Sequence, residues 1–485
     1  MLRRDFIKII GISAGAMSLG CKSGDMFAAK SRPNILWLIA EDLSPDLGCY
    51  GNRLVKTPNL DKLASEGTMF TNVFATASVC SPSRSAFLTG MYQTSIDSHH
   101  HRTSNPRPLA KGNRLISEHF RENGYFVFNG EADNLSAPGK MDVNFLYDES
   151  SIEGTDWRQR KNGQPFFGMI QFKETHRDFV RDTKNPIDPA AVELPPYYAD
   201  HQLVRRDWAN YLEDIQILDG KVGGILRRLE ADGADNTIIV FLGDHGRPMI
   251  RDKQFLYDGG IHIPLIIKWP GGIPAGKTED SLISTIDIGP SCMRLAGIDI
   301  PGHIHGRPFV DNNTAEREFI FAARDRCGEA ADRIRCVRSK KYKYIRNFHP
   351  NIPYTQFSAY KEIQYPVLHL MRQLYCENKL NDVQKRFMAA VRPYQELYDI
   401  EKDPFEINDL SQKAEFQGIL NDFSGQLDQW IKDTNDAGEI PEDYQAEVQW
   451  YINNQKWYSE TLKERGITND TPAAHVEYWT TLLGG

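Results

Sequence analysis

Two continuous apolar runs in the chain predict strands that are buried on both faces. They cover residues 34–40 and 237–242; Glu41 and Asp42 follow the first run directly, and Asp244 follows the second after Gly243. Unbroken runs of this kind are typical of parallel sheets covered by helices. Apolar residues also recur at helical spacing from 207 to 230, and Gly233 ends this predicted helix. Helix followed by buried strand favours an α/β fold with a mainly parallel sheet.

Other patterns predict how the rest of the chain is organised. Further strands are expected at 125–128, 166–172 and 264–269. From about residue 319 short aromatic and basic runs, such as 341–346, alternate like strands exposed on one face. The divisions predicted from these patterns are a leader (1–30), a main α/β domain (31–315), a smaller α+β subdomain (316–412) and a helical extension (413–485).

The leader has the layout of an export signal. Arg3 and Arg4 precede an apolar stretch from Ile9 to Leu19, which indicates the twin-arginine type. That stretch is too short to be a permanent membrane anchor. The following Cys21 stands in a context similar to a lipoprotein processing site, so a lipid there would attach the protein to a membrane. We expect an exported protein, either periplasmic or lipid-anchored at the cell envelope.

Composition limits the classes of partner. The chain has 485 residues, 40% of them hydrophobic and 25% charged, which is ordinary for a soluble globular protein. A formal net charge of -8 argues against a basic nucleic-acid-binding surface, so no nucleic acid partner is expected. Any anionic ligand must therefore be held by a local cluster of cations. The seven cysteines cannot all pair, and their spacing matches no zinc pattern.

The segment 77–90 carries a candidate nucleophile. Cys80 stands two residues before Pro82 and four before Arg84, at the predicted start of a helix whose first position the proline would occupy. Free backbone N–H groups and the positive end of the helix dipole favour an anion there. A thiol, a cation and a helix N-terminus on one turn suit an oxyanion ester. The alternative is a buried structural cysteine beside a capped helix.

The whole run, from Cys80 through Arg84 to Leu88-Thr89-Gly90, resembles the signature of the formylglycine-dependent (type I) sulfatases. In that family the cysteine is oxidised to an aldehyde (3-oxoalanine, or formylglycine), whose hydrate attacks the sulfur of a sulfate ester. The resemblance extends over about 32–410. It implies the alkaline-phosphatase-like fold, a large mainly parallel sheet flanked by helices with a smaller C-terminal α+β subdomain. It also implies a formylglycine-generating maturation enzyme as a partner.

Acidic residues follow both buried runs. Glu41 and Asp42 come after the first run, and Asp244 and His245 come after the second. Ligands collect at the carboxyl ends of parallel strands, and oxygen donors suit Ca²⁺ or Mg²⁺, although such a pair can also be a solvated loop. The resemblance implies these four residues as ligands of a divalent metal, most simply calcium. Glu41 stands where aspartate is commoner, and His245 replaces an amide in part of the family.

Three further segments resemble elements of the same family. Gly139-Lys140 implies that Lys140 is a sulfate-binding cation, with Asp142 where a histidine is usual. The segment ending at His176 implies that this histidine protonates the leaving group. The segment before Tyr257 nominates Lys253 as another cation. Without the resemblance, His176 would be an ordinary polar contact and Lys253 a surface lysine.

The expected activity is hydrolysis of sulfate esters, or sulfamates, of sulfated carbohydrates such as glycosaminoglycan fragments. His100, His101 and Arg102 lie in a polar loop soon after the nucleophile motif and are expected to bind hydroxyl and sulfate groups of the sugar. A solvent-exposed turn is the alternative.

Two other functions stay open: a phosphomonoester or phosphonate hydrolase of the same superfamily, and an inactive glycan-binding homologue in which Cys80 remains a thiol.

Overall fold

Strands and helices alternate through the described residues, 32–310 and 315–483, of the computed structural model. The strands are β1 (Asn34–Ala40), β2 (Thr68–Phe74), β3 (Arg107–Pro108), β4 (Phe126–Glu131), β5 (Asn134–Pro138), β6 (Phe145–Leu146), β7 (Phe166–Phe172), β8 (Thr237–Gly243), β9 (Leu265–Lys268), β10 (Lys277–Ser284), β11 (Ile320–Arg324), β12 (Ile334–Arg338), β13 (Tyr342–Asn347) and β14 (Gln395–Asp399). The predicted export signal and Cys21 lie outside the described residues.

The α-helices lie between these strands and after the last one. They are α1 (Pro58–Glu66), α2 (Cys80–Thr89), α3 (Ile116–Glu122), α4 (Gln202–Ala231), α5 (Asp258–Ile261), α6 (Ile288–Leu295), α7 (Ala359–Gln364), α8 (Pro366–Cys376), α9 (Asp382–Met388), α10 (Gln417–Asp433), α11 (Tyr444–Glu464) and α12 (Pro472–Leu483). The long helix predicted from 207 to 230 is therefore present and begins earlier, where the His201 side chain accepts from the Leu203 N–H. No helix in the described ranges is long and apolar enough to span a bilayer.

Eight strands form one mixed sheet in the order β10-β2-β9-β8-β1-β7-β4-β5. The central strands β8, β1, β7 and β4 are parallel, while β9 is antiparallel to both of its neighbours. The strands predicted at 34–40, 166–172 and 237–242 are confirmed within one residue. The two other predicted strands also exist, shifted by one to three residues at their ends. The α/β class predicted from the apolar runs is thus confirmed.

Burial on both faces explains why the central strands are apolar throughout. In β1, Leu36 and Leu38 pack into one hydrophobic core with residues of α4, while Ile35, Trp37 and Ile39 pack into a second core on the opposite face. Because helices cover both faces of the sheet, the side chains on either face of the strand are removed from solvent.

Strand direction brings the functional segments together. β1, β7, β8 and β4 are parallel, and two successive antiparallel pairings through β9 give β2 the same direction as β8. The carboxyl ends of all five strands therefore lie at one edge of the sheet. Ala40 of β1 stands beside both Phe172 and Gly243, the last residues of β7 and β8. The segments that follow these strands carry the predicted site.

The second sheet, β11-β12-β13-β14, is antiparallel and differs from its prediction in one respect. The run 341–346 was expected to be exposed on one face, but five of the six residues of β13 are buried. Tyr344 packs with residues of α10 on one face, and the opposite face lies against the main body. Lys343 is buried there between Asp258 and Glu406, at 2.9 Å from each, so its charge is paired rather than solvated. The prediction of an exposed face was wrong for this reason.

Candidate active site

Cys80 is the first residue of α2, with Val79 as the N-cap. Pro82 is therefore third in the helix, not first as expected, but its missing N–H is still one that a helix start leaves without a partner. Cys80 is 1% exposed. Its Sγ lies 3.4 Å from His245 Nε2 and 3.9 Å from Asp42 Oδ1. A buried cysteine between a carboxylate and an imidazole is not in an ordinary apolar core position.

The four predicted metal ligands surround this thiol. Ligand atoms of Asp42, Cys80 and His245 all lie within 4.8 Å of one another, and those of Glu41, Cys80 and Asp244 do the same. The backbone N–H groups of Asp42 and His245 both donate to Asp244 Oδ1 at 2.9 Å, which fixes the turn after β8 against the turn after β1. The structure thus brings together residues separated by 200 positions.

Three cations contact these carboxylates. Arg84 Nε is 3.0 Å from Asp244 Oδ2, and Lys253 Nζ is 2.5 Å from Asp42 Oδ2. Lys140 Nζ is 2.6 Å from Glu41 Oε2. The Arg84 and Lys253 side chains are almost completely buried, while that of Lys140 is 24% exposed. Buried charges of this kind persist only when they are paired.

Arg84 also shows where an anion could bind. Its Nη1 donates to Gln171 Oε1 at 2.9 Å, but its Nη2 is buried and has no hydrogen-bond partner among the described residues. Buried N–H groups of a guanidinium nearly always find an acceptor in a native protein. An oxyanion beside Cys80 would supply one. Gln171 was not predicted from the sequence, although a single polar residue near the end of the apolar β7 run was a usable signal.

Electrostatics keep the cations charged. Burial disfavours the ammonium of Lys253, but Asp42 and the other neighbouring groups together outweigh it, and the pKa of Lys253 lies well above its usual value. Burial and Lys253 act in the same direction on His176 and lower its pKa. In the free protein at pH 7 the His176 imidazole is therefore mostly neutral.

The donor set fits a divalent cation. Three carboxylates offer hard oxygen atoms, as Ca²⁺ and Mg²⁺ require. His245 Nδ1 is 2.9 Å from the Gly246 carbonyl oxygen, which can only accept, so Nδ1 carries the hydrogen and Nε2 can present a lone pair to a metal. Arg84, Lys140 and Lys253 already balance the three carboxylates. A sulfate ester would add one negative charge and a divalent cation two positive ones, so the cluster can accommodate both without a large net charge.

His176 lies on the segment that follows β7. Its Nδ1 is 2.5 Å from the Arg177 carbonyl oxygen, so Nδ1 carries a hydrogen and Nε2 is the atom available for proton transfer. Its ring centroid is 5.7 Å from that of Tyr360, and Lys253 Nζ lies 5.0 Å from the same Tyr360 ring. The C-terminal part of the chain therefore contributes Tyr360 to this side of the site, and nothing in the sequence pattern indicated that.

The loop predicted to bind the sugar is next to the thiol. The Arg102 N–H donates to Ser81 Oγ at 2.9 Å, and the Arg102 guanidinium forms a two-point ion pair with Asp142. His100 and His101 are partly buried, while the Arg102 side chain is 43% exposed, so only part of this loop is the solvent-exposed turn of the alternative. Burial, with His99 beside it, lowers the pKa of His100 to about 4, so its ring is neutral at pH 7. Asp142, which replaces a histidine of the family pattern, positions Arg102; that pairing was missed from the sequence.

Comparison with known proteins agrees with this geometry. A family model described as Sulfatase matches residues 33–298, and one described as N-sulphoglucosamine sulphohydrolase, C-terminal, matches residues 243–395. These two matches end before α10. An ulvan-active sulfatase of Formosa agariphila is 33% identical over 93% of this chain and 85% of the relative. The human N-sulphoglucosamine sulphohydrolase is 24% identical over 84% of this chain and 91% of the relative.

Solved structures also share the fold. The phosphonate monoester hydrolase of Agrobacterium radiobacter superposes with a TM-score of 0.62 at 18% identity, covering 83% of this chain and 96% of that one. This likeness bears on the fold alone. The family match over more than half of the chain, together with the 33% identical relative, bears on the activity. The chain belongs to the sulfatase family and is a sulfuric ester hydrolase.

Proposed function

We propose that this enzyme removes sulfate from sulfated saccharides with a formylglycine formed from Cys80. The observation that supports this proposal most strongly is the position of Cys80. It is buried at the N-terminus of α2, between Asp42 and His245, and the same helix presents an Arg84 Nη2 that has no hydrogen-bond partner among the described residues. A nucleophile at this point would meet the sulfur while the guanidinium holds a sulfate oxygen.

Burial also restricts when the modification can take place. Cys80 is 1% exposed, and α2 is buried throughout. A maturation enzyme can therefore reach it only before the chain has folded around it. The maturation enzyme, using an external oxidant such as dioxygen, removes two electrons from the Cys80 β-carbon; the Cβ–S bond breaks, the cysteine sulfur leaves as hydrogen sulfide, and a carbonyl oxygen takes its place. Water then adds to the aldehyde to give a hydrate with two hydroxyl groups. One hydroxyl attacks the sulfur and displaces the alcohol; the other then expels sulfate and restores the aldehyde. A thiol or serine has no second hydroxyl with which to do this.

The surrounding residues divide the remaining tasks. Arg84, Lys140 and Lys253 hold the peripheral oxygens, on which charge accumulates in a loose transition state. Glu41, Asp42, Asp244 and His245 would hold the divalent metal, which when bound supplies Lewis-acid stabilisation of the same charge. We assign calcium as the metal because the donors are mainly carboxylate oxygens.

His176 is proposed to protonate the leaving alcohol through Nε2. Because burial and Lys253 lower its pKa, this role requires that the bound sulfate anion raise the pKa again. The neighbouring cations are then shielded by the substrate, and the imidazole can carry a proton at the moment of cleavage. A small residue at this position should slow a sugar leaving group more than a nitrophenol, which leaves without protonation.

For the saccharide, we propose an end of a sulfated polysaccharide or glycosaminoglycan chain. The support comes from the names of the relatives, an ulvan-active sulfatase and an N-sulphoglucosamine sulphohydrolase, and from the polar loop 98–102 beside Ser81. His100, His101 and Arg102 would bind hydroxyl or sulfate groups of the ring. Alanine at each of the three should reduce activity on a sulfated saccharide far more than on an aryl sulfate. Equal losses of activity on the saccharide and on the aryl sulfate would show that this loop does not determine saccharide specificity.

We also propose that the enzyme is exported and is lipid-anchored through Cys21. The support is the sequence of residues 1–21 alone. Cell fractionation, followed by mass spectrometry of the mature N-terminus, tests it. A lipid-modified N-terminal Cys21 is the expected result, and an intact leader on active enzyme in the cytoplasm would reject the proposal.

The activity is tested with matched esters. Purified mature enzyme is assayed on 4-nitrophenyl sulfate, 4-nitrophenyl phosphate and a phenylphosphonate monoester, and on N-acetylglucosamine 6-sulfate and ulvan oligosaccharides. We expect higher kcat/KM on the sulfate than on the phosphorus esters, and desulfation of at least one saccharide. A preference for the phosphonate would favour the phosphonate hydrolase instead.

A further inference from the structure

The C-terminal extension reaches the loop that lies beside Cys80. The backbone carbonyl oxygen of Arg326, just after β11, accepts a hydrogen bond from the backbone N–H of His101 at 2.9 Å. Its guanidinium forms an ion pair with Glu442, between α10 and α11. The same guanidinium lies 5.7 Å from the ring centroid of Trp450, on α11. A continuous set of contacts therefore joins the loop 98–102 to residues more than 340 positions later.

Arg326 is buried, and His100, His101, Glu442 and Trp450 are partly buried around it. The side chains of Arg326 and Glu442 are 3% and 5% exposed. Several polar atoms of these residues are buried and have no hydrogen-bond partner among the described residues, namely Arg326 Nη2, Trp450 Nε1, His100 Nδ1 and His101 Nε2. Native proteins seldom leave four such atoms together, because each loses its hydrogen bonds to water without replacement.

The chemistry of these atoms matches a sugar ring. A pyranose has hydroxyl groups that both donate and accept, and it has apolar faces that pack on aromatic rings. An indole offers a flat face with a donor at its edge, and an arginine–glutamate pair offers donors and acceptors at fixed spacing. A sulfate group alone would be held by the cations at Cys80, so these polar atoms would be left to bind another part of the substrate.

We infer that Arg326, Glu442 and Trp450 form, with His100 and His101, the subsite that binds the sugar of the sulfated saccharide. The helical extension then sets saccharide specificity, although it lies outside the sheet that carries the chemistry. This inference rests on the proposed function of Cys80. It adds to that proposal the residues that distinguish a sugar ester from any other sulfate ester.

The test compares two substrates and two matched tryptophans. Trp450→Ala and Glu442→Gln are assayed on 4-nitrophenyl sulfate and on the best cleaved of N-acetylglucosamine 6-sulfate and ulvan oligosaccharides. We expect kcat/KM on the saccharide to fall by about tenfold or more and to change by less than about twofold on the aryl sulfate. Trp457→Ala, an exposed tryptophan two turns further along α11, should change neither. Thermal unfolding of each variant identifies any that fail to fold.

Binding separates this inference from the proposed function. Titration of the same saccharides into Cys80→Ala, and into Cys80→Ala with Trp450→Ala, measures the subsite without turnover. If the mature enzyme with Cys80 intact cleaves no sulfate ester, but saccharide binding is lost when Trp450 is replaced, the subsite is supported and the proposed role of Cys80 is overturned. Equal losses on both substrates, or unchanged saccharide binding in the double variant, would overturn the subsite while leaving the sulfatase mechanism intact.

Discussion

Two buried charge clusters in this protein resemble each other in composition and differ in how completely their atoms are paired. At Asp258 both carboxylate oxygens are used, one by Lys343 at 2.9 Å and the other by Arg338 at 2.9 Å. Burial opposes ionisation there, yet Arg338 and Lys343 hold the pKa of Asp258 far below its usual value. At Cys80, by contrast, Arg84 keeps a buried Nη2 without a partner in the described part of the chain.

The difference separates a structural cluster from a functional one. The Asp258 carboxylate joins the main body to the second sheet, and both of its oxygens have charged partners. The Cys80 cluster has donors left over and a thiol that no structural argument requires. Burial and charge alone therefore do not identify an active site in this fold. What distinguishes the Cys80 cluster is the combination of an unpartnered guanidinium N–H with a buried thiol that lies among carboxylates.

The largest expected effect is at the nucleophile. Cys80→Ala removes the atom that attacks sulfur, so kcat on 4-nitrophenyl sulfate should fall by about 10⁴-fold or more. The melting temperature should stay within a few degrees of wild type, because a small residue still fits the buried start of α2. A variant that keeps more than a tenth of the activity would show that Cys80 belongs with the structural residues.

A matched pair of substitutions then compares the two clusters directly. Asp244→Asn should lose bound metal and about 10²–10³-fold in kcat, because it removes a ligand charge beside the substrate. Asp258→Asn should retain metal and kcat per folded molecule, but the free energy of unfolding should fall by about 3–5 kcal/mol because Arg338 and Lys343 lose their partner. Elemental analysis and urea unfolding provide the readouts. Similar losses of activity in both variants would remove the distinction.

Asp214 provides a smaller test of the same reasoning. It lies on α4 without an ion pair to any described residue, and burial, with Glu174 nearby, raises its pKa to about 8. Unfolded aspartate titrates near about 3.9. At any pH between these two pKa values, Asp214 is protonated in the folded protein but ionised in the unfolded chain. Its contribution to the free energy of unfolding therefore falls as the pH rises.

Asp214→Asn removes that titration. The variant should be more stable than wild type by about 4 kcal/mol at pH 7 and nearly equal to it at pH 4. Urea unfolding at the two pH values measures the difference, and kcat should not change. A stability difference that is the same at both pH values would show that Asp214 does not carry a proton in the folded protein.

Much of the site could be predicted because its parts follow patterns local in sequence. Apolar runs located β1 and β8, and their ends located Glu41, Asp42, Asp244 and His245 at one edge. The remaining features depend on contacts distant in sequence. Lys343 is buried because Asp258, 85 residues earlier, neutralises it, and no local pattern shows that. Trp450 reaches Arg326 only through the packing of the extension, so its position could not be predicted from either segment alone.

Peptide mass spectrometry of residue 80 in active enzyme tests the central claim most directly. The enzyme is purified after export and titrated to determine the active fraction, and the peptide that contains Cys80 is then fragmented. Formylglycine at position 80, in a proportion that equals the active fraction, is the predicted result. An unmodified thiol at position 80 in fully active enzyme would contradict the account.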